Sequence, residues 1–185
     1  MARLVAFLRA VNVGGRVVPM STLRAHFGAM GFEAVETFIA SGNVVFTTAA
    51  RPGPALERRV AAELASRLGY EVPTIIRGLP EVAAVSARQP FSAADLAAFR
   101  TLQVGLLASV PAPAARRLVL RLATPDDLLA IRGRELYWLT RKGMTDSAIG
   151  DTPFERLLGT TATFRNMNTL RRLVDRFGPP GGRAR

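Results

Sequence analysis

The chain has 185 residues, 49% of them hydrophobic and 21% charged, with a formal net charge of +11, one histidine and no cysteine. That balance is ordinary for a globular protein able to bury a core, and no apolar run approaches the roughly 20 residues that span a bilayer. The absence of cysteine excludes disulfides, thiolate nucleophiles and thiolate metal sites, and a single histidine argues against a histidine-rich zinc centre.

In chain order, residues 3–11 read as a strand buried on both faces, followed by a glycine-containing loop. Met20, Leu23, Phe27 and Met30 then recur at helical spacing between Pro19 and Gly31. Strand patterns at 34–40 and 44–48 flank the hairpin signal Ser41-Gly42-Asn43. Leu56, Val60, Leu64 and Leu68 mark a second helix ending at Gly69, and 71–77 reads as a fourth strand. The order strand, helix, strand, strand, helix, strand is the ferredoxin-like split β-α-β unit. A short helix near 80–88 and a loop at Pro90 lead to a weaker second copy. Its elements are a strand at 102–108, an arginine-rich helix at 112–122, strands at 127–131 and 135–140, and a helix near 152–158. The last helix carries Met167, Leu170, Val174 and Phe177 on one stripe, with Asn166 as its N-cap, and stops at Gly178. The expected architecture is therefore α+β: two ferredoxin-like (split β-α-β) subdomains, a duplication in outline, plus a C-terminal helix. Their spans are 1–78 and 99–158, joined by a connecting helix and loop at 79–98 and followed by the helix and basic tail at 159–185.

The basic excess invites an anionic partner. Lys142 is the only lysine, so the arginine bias also fits the codon usage of a GC-rich genome. The excess is stronger in the C-terminal half, where Arg116, Arg117, Arg171, Arg172, Arg176 and the tail offer a surface for nucleic acid; a solvated basic face is the plainer reading. Phe7 and Phe46 fall on the strands that RNA-recognition domains use for stacking. The glycine-aromatic signature is missing, however, and both read as core.

Chemistry concentrates in two turns. In the expected sheet the first and third strands are central and antiparallel. The loop holding Asn12, Gly14, Gly15 and Arg16 therefore shares one end with Ser41, Gly42 and Asn43. The start of the first helix faces the same end, and Arg9 supplies charge; together these groups suit an anion. Each also has a structural role open to it: glycines permit the turn, Ser41-Gly42-Asn43 makes a hairpin, Asn12 caps the loop, and Arg9 pairs with Glu36 or Glu71. No phosphate-binding loop, dinucleotide fingerprint or nucleophile elbow occurs, and His26 lies at the edge of an apolar stripe.

The segments Leu8-Arg9-Ala-Val-Asn12-Val-Gly14-Gly15, Val18-Pro19-Met20, Ser41-Gly42-Asn43-Val44 and Ala162-Thr163-Phe164-Arg165-Asn166-Met167-Asn168-Thr169 resemble the bacterial family catalogued as domain of unknown function 1697. Members of that family typically carry tryptophan where Met167 stands. The resemblance implies an α+β fold and a bacterial, cytosolic protein, with no established activity; an interrupted apolar start at Arg9 with no cleavage site also leads to a cytoplasmic expectation. The resemblance draws Arg165 and Asn166 into the candidate site, with the last segment expected to complete one cleft between the subdomains. Three functional readings follow: a protein holding a small phosphate- or carboxylate-bearing ligand, with no cofactor or metal; a sequence-tolerant nucleic-acid binder; and an enzyme of unknown reaction at the same cleft. No membrane partner is expected, and the sequence leaves oligomeric state open.

Overall fold

The computed structural model describes residues 1–11, 15, 17–39 and 42–178. The chain divides into two compact units, Met1–Val82 with the residues from Arg176 onward in the last helix, and Ala83–Asp175.

The first unit runs β1 (Ala2–Leu8), α1 (Met20–Ala29), β2 (Glu33–Phe38), β3 (Asn43–Thr48), α2 (Pro54–Leu68) and β4 (Thr74–Gly78), and α3 (Leu79–Ala87) begins in it. The sheet order is β2-β3-β1-β4, every pair antiparallel, so β3 lies between β1 and β2 as a split β-α-β connection requires. Leu4, Ala6 and Leu8 of β1 and Val44 and Phe46 of β3 share a core with Leu23 and Phe27 of α1 and Leu56, Val60 and Leu64 of α2. The alternate residues Val5, Phe7 and Val45 are buried too, so this sheet is apolar on both faces and Phe7 and Phe46 are core, as expected. β1 is shorter than the expected 3–11. It ends at Leu8 because Arg9 N turns to donate to Pro73 O at 2.9 Å and Ala10 has φ 60°. β4 starts at Thr74 and not at Glu71, since Pro73 has no N–H to offer a ladder.

The second unit contains α4 (Ala93–Ala98), β5 (Thr101–Leu107), α5 (Pro113–Leu120), β6 (Asp127–Arg132), β7 (Glu135–Thr140), α6 (Phe154–Leu158), β8 (Ala162–Asn166) and most of α7 (Met167–Phe177). Its sheet order, β6-β7-β5-β8, repeats that of the first. Trp138 is the centre of its core. It packs on Phe154 at 5.6 Å and edge-on to Phe164 at 6.3 Å, and its Nε1 donates to the buried Asp127 Oδ1 at 2.8 Å. Two elements correct the sequence reading. The second sheet gains its fourth strand from β8, beyond the expected end at 158, because Val104 to Leu107 need a partner on their open side. α4 was not foreseen, although Ser92 Oγ caps Asp95 N at 3.1 Å in a Ser-Ala-Ala-Asp box.

Candidate functional site

The sequence-predicted residues fall into two groups, Arg9, Gly15, Gly42 and Asn43 in the first unit and Arg165 and Asn166 in the second. Asn12, Gly14, Arg16 and Ser41 lie outside the described residues, as do Arg183 and Arg185 of the tail.

In the first unit the end of β1 meets the start of the β3 hairpin at Gly42. Leu8 N donates to Gly42 O at 2.8 Å, joining the end of β1 to the entry of β3. A Cβ on Gly42 would stand 3.1 Å from Leu8 O, 3.2 Å from Leu8 Cβ and 3.6 Å from Val11 Cγ2, and Gly42 has φ 74°. Both the backbone angle and the close approach therefore demand glycine there. Gly15 has φ 82° with nothing within 4 Å of its Cβ position, so its turn requires the angle alone. Asn43 is fully buried, and its Nδ2 donates to Phe38 O at 3.1 Å, closing the hairpin from inside. Arg9 is exposed just past the last residue of β1. Two non-glycine residues flank this rim with positive φ, Ala10 at 60° and Ile39 at 51°. A β-branched residue in that region is a genuine outlier, costing roughly 1–2 kcal/mol. α1 opens after Pro19 with no side-chain cap and no acidic residue in its first turn.

In the second unit Arg165 is buried in β8. Its Nη1 donates to Thr163 Oγ1 at 3.0 Å and Phe164 O at 2.8 Å, and burial lowers its pKa to about 10, which leaves it a cation at neutral pH. Asn166 behaves as the expected N-cap, its Oδ1 accepting from Asn168 N at 2.8 Å. Asn166 also lines a cavity of about 200 Å³ with Arg100, Thr101, Asn168 and Arg171. The sequence reading did not anticipate Arg100 or Thr101, and the signal that could have led to them was the unread α4 cap, which sets where β5 begins.

The remaining candidates are weaker. His26 is half-buried on α1, and burial, then Arg67, hold its pKa below the ordinary value, so it is neutral at pH 7. Among the described residues no group of three or more His, Asp or Glu is placed to hold a metal, and no helix is long and apolar enough to cross a membrane. Of the arginines expected to meet nucleic acid, Arg116 donates to Ile131 O at 3.3 Å and Arg176 approaches Glu36 Oε2 at 3.6 Å.

What this geometry defines is an α+β protein of two four-stranded antiparallel sheets with flanking helices and a C-terminal helix. The chain belongs to the family described as Protein of unknown function (DUF1697), whose model matches residues 1–137. In fold it is similar to a conserved bacterial protein, SP0830 from Streptococcus pneumoniae, at 20% identity and a TM-score of 0.65, covering 94% of this chain and 97% of that one. No curated protein matches the chain.

Proposed function

We propose that this protein binds a small anionic ligand, bearing phosphate or carboxylate, at the rim where β1 ends and β3 begins. The observation that carries the reading is the pair of left-handed non-glycine residues, Ala10 just past β1 and Ile39 just past β2. Strain of that kind is retained where the surrounding structure needs a particular backbone direction, and it clusters at ligand-binding sites. Arg9 supplies a charge-assisted hydrogen bond at the same rim. Gly15 and Gly42 shape the two turns, and the start of α1 contributes amides without a side-chain cap. Asn43 positions the hairpin through its bond to Phe38 O. Asn12, Gly14 and Ser41 complete the reading as sequence expectations.

The test is native mass spectrometry of gently purified protein beside its Arg9→Ala variant, with thermal unfolding of both. A stoichiometric small anion on the wild type, lost in the variant while the melting temperature stays within about 2 °C, is the expected result. A wild type free of any anion, with inorganic phosphate binding equally to both proteins, would sink the proposal.

A further inference from the structure

The cavity of about 200 Å³ in the second unit lies where β5 begins and α7 starts. Its lining is split by chemistry. Leu96, Phe99 and Leu102 give it an accessible apolar part, while Arg100, Thr101, Asn168 and Arg171 bring polar groups to it. None of its lining residues is acidic. Neither Arg100 nor Arg171 forms an ion pair among the described residues, unlike Arg141 and Lys142, which both approach Asp126. Two arginines lining one cavity with no acidic residue beside them present positive charge to an anion.

The walls are pre-organised. Arg100 N donates to Thr140 O at 3.1 Å. The Arg141 guanidinium lies 4.1 Å from the centre of the Phe99 ring, and its Nη1 donates to Ala98 O at 2.7 Å, pinning the turn that presents Arg100. Asn168 and Arg171 are three residues apart on α7 and share a face, and the Asn166 side chain secures the first turn of that helix. The helix start adds positive potential to what the cavity and its two arginines already supply.

We propose that this cavity binds a small phosphomonoester, its phosphate held between Arg100 and Arg171 with Thr101 and Asn168 as hydrogen-bond partners, and its short carbon body against Leu96, Phe99 and Leu102. Size selects the class. At roughly 30 Å³ per water the space equals about seven waters, and it falls below the ~300 Å³ at which pockets begin to hold drug-sized molecules. A phosphate on a few carbons matches that space. The inference is independent of the rim in the first unit, which shares none of these residues.

Two-dimensional amide NMR of the full chain at low ionic strength, titrated with inorganic phosphate and then glycerol 3-phosphate, tests the proposal. Saturable shifts are expected at Thr101, Asn168 and Arg171, with the ester binding more tightly than phosphate. Arg100→Gln and Arg171→Gln should each weaken binding about tenfold or more, the loss of one charge-assisted contact. Both residues are exposed, so these variants should melt with the wild type, and Arg117→Gln on α5 should bind within about twofold of it. Shifts confined to Arg9 and Gly42 would overturn the assignment in favour of the first unit's rim. Shifts that fail to saturate, or an equal loss in Arg117→Gln, would also overturn it. So would tighter, salt-sensitive binding of oligothymidylate that depends on Arg117, which would make the surface a nucleic-acid face.

Discussion

The two units place a buried arginine at the same point of the same topology and satisfy it by different means. Arg77 is the fourth residue of β4, opposite Val5, and Arg165 is the fourth of β8, opposite Val104; in each case one residue separates the arginine from a helix. In each unit a glutamate on the helix before that strand accepts one of its amides: Glu57 from Ile76 N and Glu155 from Ala162 N, both at 2.9 Å. The resemblance ends with the partners. Arg77, with no exposed surface, has Glu81 Oε1 3.1 Å from its Nε and Glu57 Oε1 3.8 Å from its Nη1. The hydrogen bonds of Arg165 to Thr163 and Phe164 go to neutral oxygens. A repeated scaffold thus dictates where a cation sits, and the local side chains decide which groups surround it.

The largest test of that comparison removes the two glutamates in turn. Glu57→Ala takes a carboxylate from a buried cation and should cost about 3–5 kcal/mol in urea unfolding, whereas Glu155→Ala removes the acceptor of Ala162 N and should cost about 1–2 kcal/mol. Equal losses would mean that Arg77 gains nothing from Glu57 beyond the amide bond.

Asp127 gives the second unit its own buried charge. Burial pushes its carboxyl upward, but hydrogen bonds that include those from Trp138 at 2.8 Å and Thr124 at 3.1 Å outweigh this and hold the pKa below the ordinary 3.8. The native state therefore prefers the ionised form. Its stabilising share is present above the unfolded pKa, near 4, and disappears as pH falls through the lower native value. Asp127→Asn should cost about 1–3 kcal/mol at pH 7 and flatten the acid limb of unfolding below pH 4, read by Trp138 fluorescence. An unchanged acid limb would place the pH dependence elsewhere.

The smallest effect is expected at the first unit's rim. Gly42→Ala forces φ 74° on alanine and brings a Cβ to 3.1 Å from Leu8 O, so a loss of about 1–2 kcal/mol should follow. The same substitution at Gly15, where the Cβ position is open, should cost less, since only the angle is strained. A larger loss at Gly15 would show that the close approach of Gly42 to Leu8 is not what the hairpin depends on.

Much of this was legible in the chain because it is local. The stripe Leu23–Phe27, the apolar β1, the Gly42-Asn43 turn and the Asn166 cap each depend on neighbours a few residues away, and the structure has them where the spacing indicated. β8 was not legible, since Ala162-Thr-Phe-Arg165-Asn166 becomes a strand through pairing with β5, almost sixty residues distant. The burial of Arg165 follows from that pairing, and in sequence an arginine beside a helix start reads as exposed. Arg100 and Arg171 stand about seventy positions apart, and only the antiparallel packing of β8 on β5 brings them to one cavity. The sequence by itself determined the α+β class, most element positions and the family. Tertiary structure decided which charges are buried and which share a pocket, because burial and convergence are properties of long-range contacts that no local spacing contains.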